Sequence, residues 1–378
     1  MSKLNVLVYI DWFSPGFKAG GPIRSMVNMS DRLSSSICFH IITSDRDYMS
    51  EEPYLNLKLD TWISYGEVHK VYYVNSQNLG YSGLKKATEG MTFDKIYVNG
   101  IFSRFFSIYP LFIHRKEREK LIIAPRGMLR ASAKQFKSKR KGLYLRMARA
   151  LGNFKGVTFH GTDNQEKIDI NSWFSGSRIR LAPNLPAPLP AFKSMRKESG
   201  SIKICFIGRI ALEKNLIFAL QVLSSISDRG IEFGIYGAMY DMDYWKDCEK
   251  EIEGMENRIK VTYQDSIAPD QVIPLLQSYH LLFLPTKGEN FGHVILEAFM
   301  AGRPVLTSDQ TPWQGLDKKG AGANLPLGNP ESFKEAIHSY LLMSDSDFQT
   351  ECKAAYAIAE EFCGDKRIIE QAKAVFLP

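Results

Sequence analysis

Apolar residues run along this chain in short blocks, set apart by polar turns rich in glycine and proline. Blocks at residues 5–10, 37–43, 68–74, 95–98, 120–124 and 156–159 each predict a strand, and a helix is predicted near 23–33. Short, continuously apolar blocks fit strands buried on both faces, as in a parallel sheet covered by helices. A proline-rich, uncharged stretch without periodicity follows at 182–190, and a basic, mobile-looking connection at 192–200. The alternation then restarts, with strands predicted at 202–207, 232–236, 260–263, 281–285 and 304–307. Helices are predicted at 215–225, 244–253, 270–278, 291–301 and 330–343, with one or two closing helices over 347–376. The expected fold is α/β, with two Rossmann-like doubly wound domains facing across a cleft. Their expected bounds are 1–185 and 186–360, with a closing helix in 361–378 that packs back on the first domain.

Ligands of doubly wound sheets bind beyond the carboxyl ends of the strands, so the residues just after each strand are the candidate chemistry. The richest such stretch is 281–307, LLFLPTKGENFGHVILEAFMAGRPVLT. It holds Glu289 in a loop and Glu297 on the helix that follows, on the order of 12 Å apart, roughly the span of an extended nucleotide-sugar. The amides of Asn290, Phe291 and Gly292 are expected to form a helix start that suits anions and hydroxyls. After the strand 202–207, Gly208 turns the chain and Arg209 and Lys214 project near another helix start. Two cations and a helix N-terminus suit a diphosphate. The plainer alternative is a solvated loop whose charges pair with Glu213. In the first half, Asp11-Trp12-Phe13, Asn99-Gly100, Pro125-Arg126 and His160 occupy the corresponding places beyond strands.

Charge changes the picture only in the first half. Residues 1–190 hold 28 Lys and Arg against 15 Asp and Glu, and the remainder 20 against 26, so an overall charge of +7 hides a strongly basic half. The stretch from Lys120 to Thr162 has no acidic residue. Segment 126–155 carries Arg126, Lys134, Lys137, Lys139, Arg140, Lys141, Arg146, Arg149 and Lys155, with Leu143, Met147 and Leu151 on one helical stripe and Tyr144 and Ala148 beside it. It reads either as an ordinary surface helix or as a docking face for an anionic membrane; nucleic acid is disfavoured because no binding module is recognisable. No apolar run reaches the roughly 18 residues of a membrane span, and the first strand is too short to be a signal peptide. Five scattered cysteines without metal spacing suggest a reduced, cytoplasmic chain. Three Asp-x-Asp pairs (Asp45 and Asp47, Asp241 and Asp243, Asp345 and Asp347) are the only metal candidates, and chance pairs of this kind are common.

Glu289 and Glu297 after a strand, preceded by Gly208-Arg209 and Lys214-Asn215, resemble the C-terminal domain of the retaining glycosyltransferases of family 4, which have the GT-B fold. Gly20-Gly21-Pro22 is similar to that family's glycine loop, and Pro183-Asn184 to its linker motif. The resemblance implies a metal-independent transferase, without cofactor, that moves a sugar from a nucleotide-sugar donor to a saccharide or lipid-linked acceptor of surface-polysaccharide synthesis. It implies that Arg209 and Lys214 hold the donor diphosphate, Glu297 the ribose, and Glu289 the donor sugar. The amides of Asn290, Phe291 and Gly292 would take sugar hydroxyls, and Gly20 and Gly21 would lie against the donor phosphate and the acceptor. Many members carry a histidine where this chain has Arg126, which is no base at neutral pH but can meet a hydroxyl or a developing phosphate charge. A nucleotide-sugar 2-epimerase and an inactive binding protein of the same architecture are the alternatives.

Overall fold

The computed structural model describes residues 3–130, 138–255 and 258–377, with side chains from Arg140 onward in the second stretch. The chain divides into two units, Met1–Ala187 with Asp365–Pro378, and Pro188–Gly364.

In the first unit eight strands form one sheet: β1 (Leu4–Ile10), β2 (Ile37–Ser44), β3 (Trp62–Tyr65), β4 (His69–Val74), β5 (Lys95–Asn99), β6 (Leu121–Ala124), β7 (Thr158–Gly161) and β8 (Arg178–Leu181). Their order is β3-β4-β2-β1-β5-β6-β7-β8, and only β3 is antiparallel to its neighbour. Residues Val6 to Ile10 of β1 are all buried, as expected of a central parallel strand. From β1 the chain crosses first to the β2 side and later returns to β5, so β1 and β5 flank the point where the winding reverses. The carboxyl ends there are level, with Ile10 opposite Asn99 and Asn99 opposite Ala124. Beyond unit 2, Phe376 closes the first unit's core, its ring 5.6 Å from Phe39 and 5.5 Å from Tyr97.

The second unit carries a six-stranded parallel sheet: β9 (Ile202–Ile207), β10 (Ile231–Tyr236), β11 (Lys260–Gln264), β12 (Leu281–Leu284), β13 (Val305–Ser308) and β14 (Gly322–Leu325). The order β11-β10-β9-β12-β13-β14 puts its reversal between β9 and β12. The carboxyl ends of both reversal points are where such sheets take ligands.

Three strands were not legible in the pattern. β3, β8 and β14 are four residues each and lie at sheet edges, and β3 and β8 mix polar with apolar positions. The connection 192–200, expected to be mobile, is pinned inside the second unit. Phe192 packs on Tyr356, the Arg196 carbonyl accepts from His280 Nε2, and buried Lys197 donates to the carbonyls of Leu341 and Met343 at the end of the helix Pro330–Leu342. Arg303 has no exposed surface and donates to the carbonyls of Lys193, Gly302 and Gln277. Burial pushes its pKa down. These contacts replace the solvent that a basic, proline-flanked segment is expected to seek.

Candidate functional site

In the second unit, the loops after β9 and β12 are tied together before any ligand arrives. Thr286 Oγ1 and the Lys287 N–H both donate to the Glu213 carbonyl, at 3.0 and 2.8 Å. Asn215, left-handed at φ 62°, sends its side-chain amide to the Pro285 carbonyl at 3.0 Å and opens the helix Leu216–Ser224. The ammonium of Lys214 donates to Glu289 Oε1, with both side chains largely buried. The alternative pairing with Glu213 is therefore not what holds Lys214; its partner lies 75 residues away. Arg209 is half-buried, with its guanidinium 5.4 Å from the centre of the Tyr240 ring.

The helix expected from Phe291 begins two residues later, as His293–Met300. Gly292, at φ 76° and ψ 61°, is its cap, a left-handed position where an added Cβ would also crowd the Ile295 side chain. The amides that open the first turn are therefore those of His293 and Val294, and Asn290, Phe291 and Gly292 form the bend before it. Phe291 is a core anchor: its ring packs on Trp313 and Phe362, and Trp313 Nε1 donates to its carbonyl at 2.6 Å. Glu297 sits on this helix and is mostly buried. Glu289, Arg209, Lys214 and Glu297 thus lie on the elements that follow β9 and β12, at that sheet's reversal point.

In the first unit, Gly20 has φ 72° and caps the helix Gly21–Leu33, with Pro22 in its first turn. The glycine permits this left-handed entry, and nothing lies within 4 Å of the Cβ it lacks. Asp47 braces the loop leading to it, accepting the N–H groups of Phe17 and Lys18. Asp11, just past β1, accepts the Ser103 hydroxyl at 2.5 Å, and burial raises its pKa to about 6. Arg126 follows β6 with φ 55°, a left-handed position that costs a residue with a Cβ about 1–2 kcal/mol. Glu166, fully buried, holds the turn by accepting the Gly127 N–H at 2.6 Å and the Thr162 N–H at 2.8 Å.

The Arg126 guanidinium donates to Asn99 Oδ1 at 2.7 Å, Asn184 Oδ1 at 2.6 Å and the Tyr97 hydroxyl at 2.7 Å. Tyr97 in turn meets His160 Nδ1 at 2.8 Å, and His160 Nε2 meets the Ala182 carbonyl at 2.9 Å. Burial, and then the charge of Arg126, push His160 down to about 3, so its ring is neutral. Nε2 then carries the proton, Nδ1 accepts from Tyr97, and Tyr97 accepts from Arg126. His160, expected at a place a ligand could reach, is an internal relay of hydrogen bonds. Asn99, Tyr97, Asn184 and Glu166 support Arg126, and only the position of Asn99 and Asn184 next to predicted elements hinted at them.

The Asp-x-Asp pairs have internal tasks. Asp45 pairs with Arg46 and accepts the Ser76 N–H, Asp241 caps the helix Met242–Glu253, and Asp345 accepts the Lys197 N–H. Among the described residues no group of three metal-ligating side chains occurs. Of the basic segment, Lys134 and Lys137 and the side chain of Lys139 lie outside the described residues. On the helix Ser138–Ala150 the buried positions are Leu145 and Ala148, whereas Leu143, Met147 and, just beyond, Leu151 are 58, 55 and 70% exposed. Arg140, Arg146 and Arg149 are exposed with them. No described helix is long and apolar enough to cross a membrane.

Residues 190–356 match the family described as Glycosyl transferases group 1. The chain is 25% identical over 162 residues to a GDP-mannose:cellobiosyl-diphosphopolyprenol alpha-mannosyltransferase of Xanthomonas oryzae pv. oryzae, 42% of each chain, so it spans less than half of that relative. By structure, it matches the sucrose-phosphate synthase of Thermosynechococcus elongatus at 14% identity and TM-score 0.72, over 99% of this chain and 98% of that one. It also matches Anabaena HepE in complex with UDP-glucose at 16% identity and TM-score 0.72, over 98% of both chains. At such identities the structures bear on the fold alone. Residues 190–356 are thus similar to the Glycosyl transferases group 1 family, in a chain that has the GT-B fold.

Proposed function

We propose that this protein is a retaining glycosyltransferase that moves a sugar from a nucleotide-sugar to a saccharide acceptor. The observation that carries the reading is the cluster at the β9–β12 reversal, where Lys214 is held on Glu289 with Arg209 on the same connecting loop. Arg209 and Lys214 neutralise the donor diphosphate, so no metal is required; the amides before and within the first turn of His293–Met300 take sugar hydroxyls. Glu297 binds the ribose, and Glu289 orients Lys214 and faces the donor sugar. Gly20 and Gly21 offer a bare helix start to phosphate and acceptor. The bond from the anomeric carbon to the phosphate oxygen breaks as the acceptor oxygen bonds on the same face, and the acceptor proton passes to the leaving phosphate. No protein base is needed, which suits an arginine at position 126.

The Xanthomonas relative's name specifies GDP-mannose and a diphosphopolyprenol-linked disaccharide. On that likeness the acceptor is a lipid-linked intermediate of a surface polysaccharide, reached from the cytoplasmic face of the membrane. The exposed stripe Leu143, Met147 and Leu151, flanked by Arg140, Arg146 and Arg149, supports peripheral docking there, each surface cation adding about 1 kcal/mol on anionic lipid. Salt-sensitive binding to phosphatidylglycerol vesicles is expected, and it should be lost when the three apolar residues become serine. Equal binding by that variant would remove the docking face.

Incubation with GDP-mannose, UDP-glucose and other nucleotide-sugars tests the activity. One donor is expected to stabilise the fold by about 2.7 kcal/mol at a hundredfold excess over its Kd, and to release nucleoside diphosphate slowly to water. Conversion of the donor to its 2-epimer without acceptor would identify an epimerase; binding with neither release nor transfer would identify an inactive binding protein.

A further inference from the structure

The first sheet ends in charges that the fold leaves unmatched. Arg126 has five N–H groups, and three go to neutral acceptors: Asn99, Asn184 and Tyr97. No carboxylate pairs with it among the described residues, although the guanidinium is half-buried. Arg303 shows what a purely structural arginine looks like in this protein: without exposed surface and ringed by carbonyls from three segments. Arg126 instead keeps two N–H groups and partial access to solvent, in a plane fixed from three sides.

The neighbours of Arg126 point the same way. Asn99 is buried, and because its oxygen must face the Nε–H of Arg126, its side-chain nitrogen is the end left over; that nitrogen has no partner. Ser107, also buried and 3.3 Å from where a Cβ on Gly100 would stand, has an unpartnered hydroxyl. Two strands away, at the same level, Asp11 accepts the Ser103 hydroxyl, and no cation pairs with it among the described residues. Two strand spacings are about 10 Å, the reach of one sugar ring with its substituents. An unmatched carboxyl group and an unmatched cation at the reversal point, not turned on each other, are a layout for a ligand carrying both a hydroxyl and an acid group.

We infer that the carboxyl end of the first sheet binds an acidic saccharide, whose carboxylate or phosphate lies on the two remaining N–H groups of Arg126 while one of its hydroxyls donates to Asp11. This rests on the proposal that Gly20 and Gly21, in the first unit, meet the acceptor, and it narrows that acceptor to one bearing an acid group. A planar arginine fork fits paired anionic oxygens far better than a neutral hydroxyl.

The test is titration of the full chain with three probes, methyl glucoside, methyl glucuronide and glucose 6-phosphate, followed by ligand-observed NMR. Both acidic probes, or one of them, should bind about tenfold or more tightly than the neutral one, and the tighter tells a sugar acid from a sugar phosphate. Arg126→Gln should abolish that preference while the protein keeps its parental circular dichroism spectrum; binding of UDP and GDP is read in the same samples. Equal binding of the three probes by the parent overturns the inference. So does a preference that survives Arg126→Gln, since anions would then be held elsewhere on a basic chain. Where Arg126→Gln does not fold, Arg126→Lys replaces it, with charge kept and fork lost, and the preference should fall severalfold; no change overturns the inference. Absence of UDP and GDP binding would instead count against the transferase reading, whatever the probes do.

Discussion

Lys214→Ala is expected to lower sugar transfer by about 10²–10³-fold, the usual cost of removing one preorganised charge from a site where negative charge develops. The same change leaves Glu289 as a mostly buried carboxylate without its ammonium, and stability should fall by about 1–3 kcal/mol. The two effects separate in a second variant. Lys214→Met combined with Glu289→Leu removes both charges and refills their volume, so most of the stability returns while transfer stays lost. Steady-state release of nucleoside diphosphate and urea unfolding read the two quantities on the same preparations. Transfer at the parental rate in Lys214→Ala would remove Lys214 from the proposed site.

Arg303→Met is expected to destabilise the second unit by about 3–5 kcal/mol, the largest single-site effect on stability anticipated in this chain. The methionine fills much of the space but leaves the carbonyls of Lys193, Gly302 and Gln277 without the donor that joined them, and each buried orphan costs about 1–3 kcal/mol. Gly302 and Arg303 close the helix His293–Met300: the Phe299 carbonyl accepts the Gly302 N–H and the Ala298 carbonyl accepts the Arg303 N–H. Loss of the clamp therefore loosens the helix that carries Glu297. Arg303→Lys should recover only part of the loss, because one ammonium cannot span three acceptors in a plane. An unfolding free energy within about 1 kcal/mol of the parent would show that these bonds are replaceable.

Much of the fold was legible because central parallel strands announce themselves. β1, β9 and β12 are apolar blocks with at most one polar residue each, and each was predicted within a residue or so of its observed bounds. The edge strands β3, β8 and β14 were not, because half-exposed strands of four residues carry too few buried positions to make a pattern. At the candidate site, residue types after the strands could be read, but partners could not. Nothing local says that Lys214 meets Glu289, that Asp47 braces the loop before Gly20, or that Tyr97 carries the hydrogen bond from Arg126 to His160. The start of the helix at His293 was missed because Phe291 looks like a first helical apolar residue, whereas its ring is taken by Trp313 and Phe362. On the basic helix the stripe Leu143, Met147 and Leu151 was legible, but periodicity cannot tell an inward stripe from an outward one.

The chain passes from the first unit to the second after Ala187 and back again at Asp365. During synthesis the second unit is therefore complete before the first can be. Until Phe376 emerges, Phe39 and Tyr97 lack the ring that covers them, and the carbonyls of Ala374 and Val375 are not there to receive Arg180. The strand ends that carry Asn99 and Arg126 thus take their final support from residues translated after the whole second unit. A nascent chain holds a finished second unit before it has a finished first one, so an interrupted product that ends before Asp365 would keep the β9–β12 cluster and lack the closing ring over Tyr97.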